Sequence, residues 1–214
     1  MKLTASRIIL LVSLVLLAAI ATLFVARHSS APDWASATPE VQAILWPGAR
    51  DVADFKLLEQ DGQAFGKSEL KGHWNLLYFG YLQCPDICPT TLQSLSRMRK
   101  LMVEAGQTAD IPQMIFVSVD PENDTAERIT GYLAFFDKNL IGLTGEPDQL
   151  ARLADSLGII YAEHIDPNGV RSMEHTTSVI VVDPEGRGVA ALTGAHQPRV
   201  MLGQFNALRK FLAN

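Results

Sequence analysis

The two cysteines of the chain, Cys84 and Cys88, are separated by three residues and followed directly by Pro89. Proline is favoured in the first turn of a helix, where its missing N–H is not needed, so Cys88 is predicted at or near a helix N-cap. The helix dipole at that end favours thiolate over thiol, and we expect a lowered pKa for both cysteines. Thiolates are metal ligands and redox nucleophiles, and this spacing lets both sulfurs reach one metal ion or each other.

Two non-functional interpretations of the cysteine pair remain open from spacing alone. The cysteines could be buried and inert, or they could form a structural disulfide. A disulfide here would close a very short loop and would constrain the unfolded chain little. Two cysteines are also too few for a four-cysteine zinc or iron–sulfur site.

A metal site would need a third ligand, and His175 is the best placed of the five histidines. It comes just before a predicted buried strand at 178–182, and sites in layered α/β domains collect at strand ends. Two thiolates and one imidazole form a soft site of low coordination, which suits copper as Cu(I) or Cu(II) better than structural zinc. The other histidines lie in a predicted tether or predicted surface segments: His28, His73, His164 and His196.

The elements that must position these residues alternate between strands and helices. An Asp61-Gly62 hairpin turn comes first. Strands are predicted at 75–81, 113–119, 140–143, 178–182 and 189–192, and helices at 89–104, 125–136, 147–157 and 199–212. Asp124 and Glu127 have the spacing of a capping box for the second helix, and 163–167 is predicted as a loop. This order indicates an α/β layered domain and fits a thioredoxin-like fold.

The N-terminal segment predicts a membrane anchor. Residues 8–26 carry no charge and are long enough to cross a bilayer as one helix, and the basic residues before them predict a cytoplasmic N-terminus. A cleaved signal peptide is the alternative. We predict an anchor at 1–27, a tether at 28–50 and one globular domain at 51–214.

The charge distribution argues against nucleic-acid binding. The 214-residue chain has 18 basic and 23 acidic side chains, and residues 1–27 hold three of the basic and none of the acidic ones. The remaining chain is therefore acidic, and it has no basic run that could contact phosphates.

Five segments resemble the Sco/SenC family of copper proteins, in the family's order and over roughly residues 50–210. They are 78–89 with both cysteines, 117–125, 141–145, 174–176 with the histidine, and 182–186. The resemblance implies a thioredoxin-like domain on a single membrane anchor, with copper bound by Cys84, Cys88 and His175. Family members deliver copper to, or reduce the cysteines of, the dinuclear copper centre of cytochrome c oxidase, and some bacterial relatives act in copper homeostasis or thiol redox defence. Leu82-Gln83 and Glu174 depart from the family pattern near the site, where partner choice should be set.

These observations together predict a membrane-anchored copper chaperone in the bacterial inner membrane, with its domain facing the periplasm. Its predicted partner is the copper-bearing subunit of cytochrome c oxidase or another copper chaperone. Cys84 and Cys88 would also form a redox-active dithiol that closes reversibly into a disulfide. The alternative is an extracytoplasmic thiol–disulfide oxidoreductase or a redox and copper-homeostasis protein that uses the same cysteines without a stable metal.

Overall fold

The computed structural model describes residues 13–17, 34–193 and 197–213. Residues 13–17 of the predicted anchor are helical, and the rest of the anchor lies outside the described residues. His28 and His196 also lie outside them. No helix within the described part of the chain has the length and apolar character that crossing a membrane requires.

A mixed sheet of eight strands forms the centre of the domain. Its order is β1-β10-β9-β4-β5-β6-β2-β3, and β4, β5 and β6 run parallel. The strands are β1 Leu45–Asp51, β2 Lys56–Glu59, β3 Ala64–Gly66, β4 Asn75–Gly80, β5 Gln113–Ser118, β6 Ile141–Thr144, β9 Val179–Val182 and β10 Arg187–Leu192. All six residues of β4 are buried, as expected for a central strand covered on both faces.

Six α-helices pack around the sheet among the described residues of 34–193 and 197–213. They are α1 Pro39–Gln42, α2 Lys67–Leu70, α3 Ile87–Glu104, α4 Ala126–Ala134, α5 Pro147–Leu157 and α6 Pro198–Leu212, with 3₁₀ turns at Trp34–Ser36 and Thr108–Asp110. The α5 helix ends as predicted, because Gly158 adopts the left-handed conformation (φ 70°) that favours glycine after a helix. The strands and helices confirm the predicted mixed α/β fold.

The predicted tether at 28–50 is wrong over its second half. The β1 strand pairs with β10 at the edge of the sheet, and Val41 and Ile44 are buried in the core. Burying these apolar side chains stabilises a packed arrangement over an extended tether. The folded domain therefore begins before residue 51.

The prediction of a loop at 163–167 is also wrong. Strands β7 (Tyr161–Ile165) and β8 (Arg171–His175) pair antiparallel as a separate two-stranded sheet, here called the histidine hairpin. Most of its side chains are exposed, so the sequence shows no apolar alternation over these residues. The hairpin matters for the site because His175 is its last residue.

Candidate metal centre

The cysteines lie in the connection between the central strand β4 and helix α3 and in the first turn of that helix. Cys84 is in the connecting loop, and Cys88 is the second residue of α3, after Asp86 at the N-cap. The helix therefore begins two residues earlier than predicted, and Cys88, predicted at or near the N-cap, lies two residues after it. The backbone N–H of Cys88 lies 3.4 Å from Cys84 Sγ and donates to it, and both side chains are buried.

Gly80, the last residue of β4, gives the Cys88 sulfur its space. A Cβ at this position would lie 2.9 Å from Cys88 Sγ and 3.0 Å from the Phe116 ring. Real Cβ atoms do not approach other heavy atoms this closely, so a side chain here would displace the sulfur or the strand.

We expect Gly80→Ala to destabilise the protein by about 1–3 kcal/mol, the usual cost of overpacking a core. Urea unfolding of the copper-free protein would measure it. Gly131→Ala is the matched control, because a Cβ at Gly131 in α4 has no neighbour within 4 Å. The control should be stabilised by about 0.5–1 kcal/mol through helix propensity. Equal stability changes in the two variants would contradict the close approach.

His175 reaches the cysteines from the histidine hairpin. Its ring lies edge-on to Tyr78 and Tyr81, with centroids 6.1 Å from each. Nδ1 is 3.0 Å from the carbonyl oxygen of Thr176. A carbonyl oxygen can only accept, so Nδ1 carries the proton and Nε2 has the free lone pair. Nε2 lies 3.5 Å from Cys88 Sγ and faces the thiols.

The two sulfurs and one imidazole nitrogen all lie within 4.8 Å of one another. One metal ion could contact the three ligand atoms, and no other group of three His, Cys, Asp or Glu residues does the same among the residues described. Two soft sulfurs and one imidazole suit copper, and no fourth ligand of the kind that structural zinc takes is part of the cluster. Of the other histidines in the described chain, His73 and His164 are exposed.

Burial shifts the pKa of the Cys88 thiol in the direction opposite to the one predicted from the sequence. It raises the pKa of the Cys88 thiol to about 12, the opposite of the lowering predicted from the helix dipole. Burial also lowers the pKa of His175, partly offset by the Thr176 carbonyl. Without metal, Cys88 is therefore a thiol and His175 a neutral imidazole near pH 7. Metal binding at Cys88 must release its proton.

Asp124, which no motif of the sequence marks as part of the site, holds the start of the cysteine loop. Asp124 is fully buried, and its carboxylate accepts from the backbone N–H of Leu82 at 3.1 Å. Its spacing to Glu127 suggested helix capping, but Thr125 is the N-cap of α4 and its hydroxyl accepts from the Arg128 N–H. Asp124 is instead drawn inward because its carboxylate satisfies the loop backbone.

Comparisons with known proteins agree with this arrangement. A family model described as SCO1/SenC matches residues 47–210. A putative copper-binding protein of Stutzerimonas stutzeri is 35% identical over 175 residues, which make up 81% of this chain and 82% of the relative. A bovine protein named SCO2 homolog, mitochondrial, is 36% identical over 62% of this chain and 50% of its own length.

Among solved structures, ScoI of Bradyrhizobium japonicum with copper bound is similar in fold. It superimposes with a TM-score of 0.65 at 34% sequence identity and covers 76% of this chain and 99% of the ScoI chain. The superposition supports the thioredoxin-like fold predicted from the order of elements.

Proposed function

Because the chain belongs to the SCO1/SenC family, we propose that it is a copper chaperone that binds one copper ion through Cys84, Cys88 and His175. The observation that carries the proposal is the position of His175. Its Nε2 faces Cys88 Sγ at 3.5 Å while Nδ1 is held by a backbone carbonyl. A dithiol that only exchanges disulfides has no need of an imidazole oriented in this way.

The donor set explains why copper would be bound and also released. Cu(I) prefers soft ligands in low numbers, and Cu(II) accepts mixed sulfur and nitrogen donors, so the cluster suits either state. Cys88 is fully buried, whereas His175 is only partly covered. We infer that copper leaves from the His175 side, by exchange of the imidazole for a ligand of a docked partner.

The family relationship supports cytochrome c oxidase as the destination of the copper. Sco proteins are linked to assembly of its dinuclear copper centre, and we propose the copper-bearing subunit of that enzyme, or a second copper chaperone, as the partner. The residues around the site that depart from the family pattern, Leu82, Gln83 and Glu174, would contribute to partner choice.

Copper titration of the reduced protein tests the proposed function. We expect a one-to-one complex with Cu(I), and with Cu(II) a thiolate-to-copper charge-transfer band in the absorption spectrum together with an EPR signal. Absence of stoichiometric binding of both ions would overturn the chaperone proposal.

A thiol–disulfide oxidoreductase is the second candidate function. It is favoured by the two sulfurs, which lie within 4.8 Å of each other in the loop and first turn at the start of α3. This function would use the thiols for exchange with a substrate disulfide, and His175 would be dispensable. The variant His175→Ala separates the two candidates, because only the copper chaperone needs the imidazole.

We further propose that residues 1–27 anchor the protein in the bacterial inner membrane, with the domain in the periplasm. The uncharged segment at 8–26 and the basic residues before it support this placement. Within it, Leu14, Val15, Leu16 and Leu17 are helical and 59–68% exposed, so their apolar surface is available to lipid. Deleting 1–27 should move the protein out of the membrane fraction of expressing cells; its retention there would contradict the anchor.

A further inference from the structure

The segment at the end of strand β5 contacts both chain segments that supply the candidate copper ligands, the cysteine loop and the histidine hairpin. We define residues 118–124 as the linking loop. It starts at Ser118, the last residue of β5, and lies beside the cysteine loop, because β4 and β5 are parallel and end together at the Gly80–Ser118 pair. The family resemblance includes this segment, but the proposed copper ligands leave it without a role.

A continuous hydrogen-bond network runs through the linking loop. The Ser118 hydroxyl donates to the Asp124 carboxylate at 2.7 Å and accepts from the Asp120 N–H at 3.0 Å. The same Asp124 carboxylate accepts from the Leu82 N–H, two residues before Cys84. One end of the network therefore fixes the start of the cysteine loop.

The other end of the network holds the histidine hairpin. The guanidinium of Arg171, at the start of β8, donates to both carboxylate oxygens of Asp120 at 2.7 and 3.0 Å. It also pairs with Glu163 on β7, so one side chain ties both strands of the hairpin to the linking loop. Asn123 donates to the Asp120 carboxylate as well and fixes its orientation.

This contact adds to the few others that hold the hairpin against the domain, which are the packing of Tyr161 and Met173 on the core and the ring contacts of His175. A two-stranded sheet is at best marginally stable on its own in water, and most of the hairpin's side chains are exposed. Asp120 is 2% exposed, and a fork-to-fork pair with a buried carboxylate is geometrically specific. Arg171 lies at the opposite end of β8 from His175, so fixing it orients the strand that carries the imidazole.

We propose that Asp120, Asp124 and Arg171 are positioning residues that set the placement of His175 relative to the two thiols. They do not contact the metal. They hold the two chain segments that supply the ligands against one rigid loop. The inference rests on the proposed function for its relevance to copper, but the placement of His175 can be measured without copper.

Arg171→Met is the central variant, because the Arg171 side chain is 36% exposed and is not part of the buried core. Arg187→Met is the matched control. Arg187 pairs with a carboxylate of Asp183 that is 4% exposed, and its own side chain is 44% exposed, against 36% for Arg171. The control pair lies at the far end of the sheet, since Val182 pairs with Asn75 at the start of β4.

The first measurement is made on copper-free protein. NMR of the ¹⁵N-labelled imidazole of His175 should show a single Nδ1–H tautomer in the wild-type protein. The control variant Arg187→Met should show the same tautomer. In Arg171→Met we expect averaged imidazole shifts and faster exchange of the hairpin amides. Arg171→Lys should restore the wild-type signals in part, since lysine keeps the charge but not the two-point contact. An unchanged His175 signal in Arg171→Met would overturn the inference, whatever the protein does with copper.

The second measurement uses copper. Arg171→Met should weaken binding by about 10–100-fold, the usual effect of losing a residue that orients a metal ligand. Its Cu(II) absorption and EPR spectra should move toward those of His175→Ala. Adding Arg171→Met to His175→Ala should have no further effect, because the residue to be positioned is gone. Equal losses with and without His175 would instead assign Arg171 a general effect on stability and contradict a positioning role.

Discussion

Oxidation of Cys84 and Cys88 to a disulfide is expected to abolish stoichiometric copper binding. The two sulfurs already share one small volume with His175 Nε2. Diamide would take two electrons and two protons from the thiols, form the Cys84–Cys88 bond and become the hydrazine. Two of the three proposed ligands would be lost together, and His175 alone cannot retain copper.

We expect the affinity to fall by more than the roughly 100-fold that marks the loss of a supporting residue. Copper titration before and after diamide treatment measures the loss, and reduction followed by removal of the reductant should restore binding. Copper bound beforehand should protect the thiols from diamide, since the same electron pairs would be held by the metal. The variant with both cysteines replaced by serine is the control and should not respond to diamide. Tight copper binding by the oxidised protein would mean that ligands other than the two thiols hold the metal.

Much of the fold could be predicted because its central strands carry a strong signal. The β4 and β5 strands are short, almost continuous apolar runs, and five of the six β5 residues are buried. The α5 helix and its terminal glycine were equally clear, since proline at the start and glycine at the end have opposite backbone preferences. A fully buried strand, or a helix with one buried face, can be predicted from the sequence because its apolar residues form a regular pattern.

The histidine hairpin was not predictable for the converse reason. Its strands are held by hydrogen bonds to each other and by the contact of Arg171 with a residue 51 positions away. Neither leaves an apolar pattern in the sequence. The sequence predicts a tether for the first part of the domain, around β1, because the few large apolar residues there stand among alanine, proline and serine, a composition typical of tethers.

The candidate site was predicted in its residues but not in its electrostatics. The placement of Cys88 at a helix start was nearly right, yet the thiol is raised in pKa because burial outweighs the helix dipole. Burial of a single side chain depends on what packs over it from distant parts of the chain. His175 lies against Cys88 but is 87 positions away in the chain, so no local sequence pattern indicates the burial of the Cys88 thiol.

His175→Ala is expected to separate the two candidate functions. The variant should lose most of its copper affinity and the nitrogen contribution to the Cu(II) EPR signal, because only the two thiols would remain as ligands. Its fold should persist, since His175 is only partly buried at the end of an exposed hairpin. Copper titration, EPR and the rate of dithiol exchange with a disulfide such as oxidised glutathione would be measured on the same preparation.

His164→Ala is the matched control, because His164 lies on the other strand of the hairpin, opposite Ser172, and is exposed. It should bind copper as the wild type does. A chaperone requires that His175→Ala lose copper while the control keeps it. If both variants instead bind copper equally well and exchange disulfides at the wild-type rate, the imidazole is no ligand. The dithiol alone would then be the functional group, and its reduction potential would decide which substrates it can reduce.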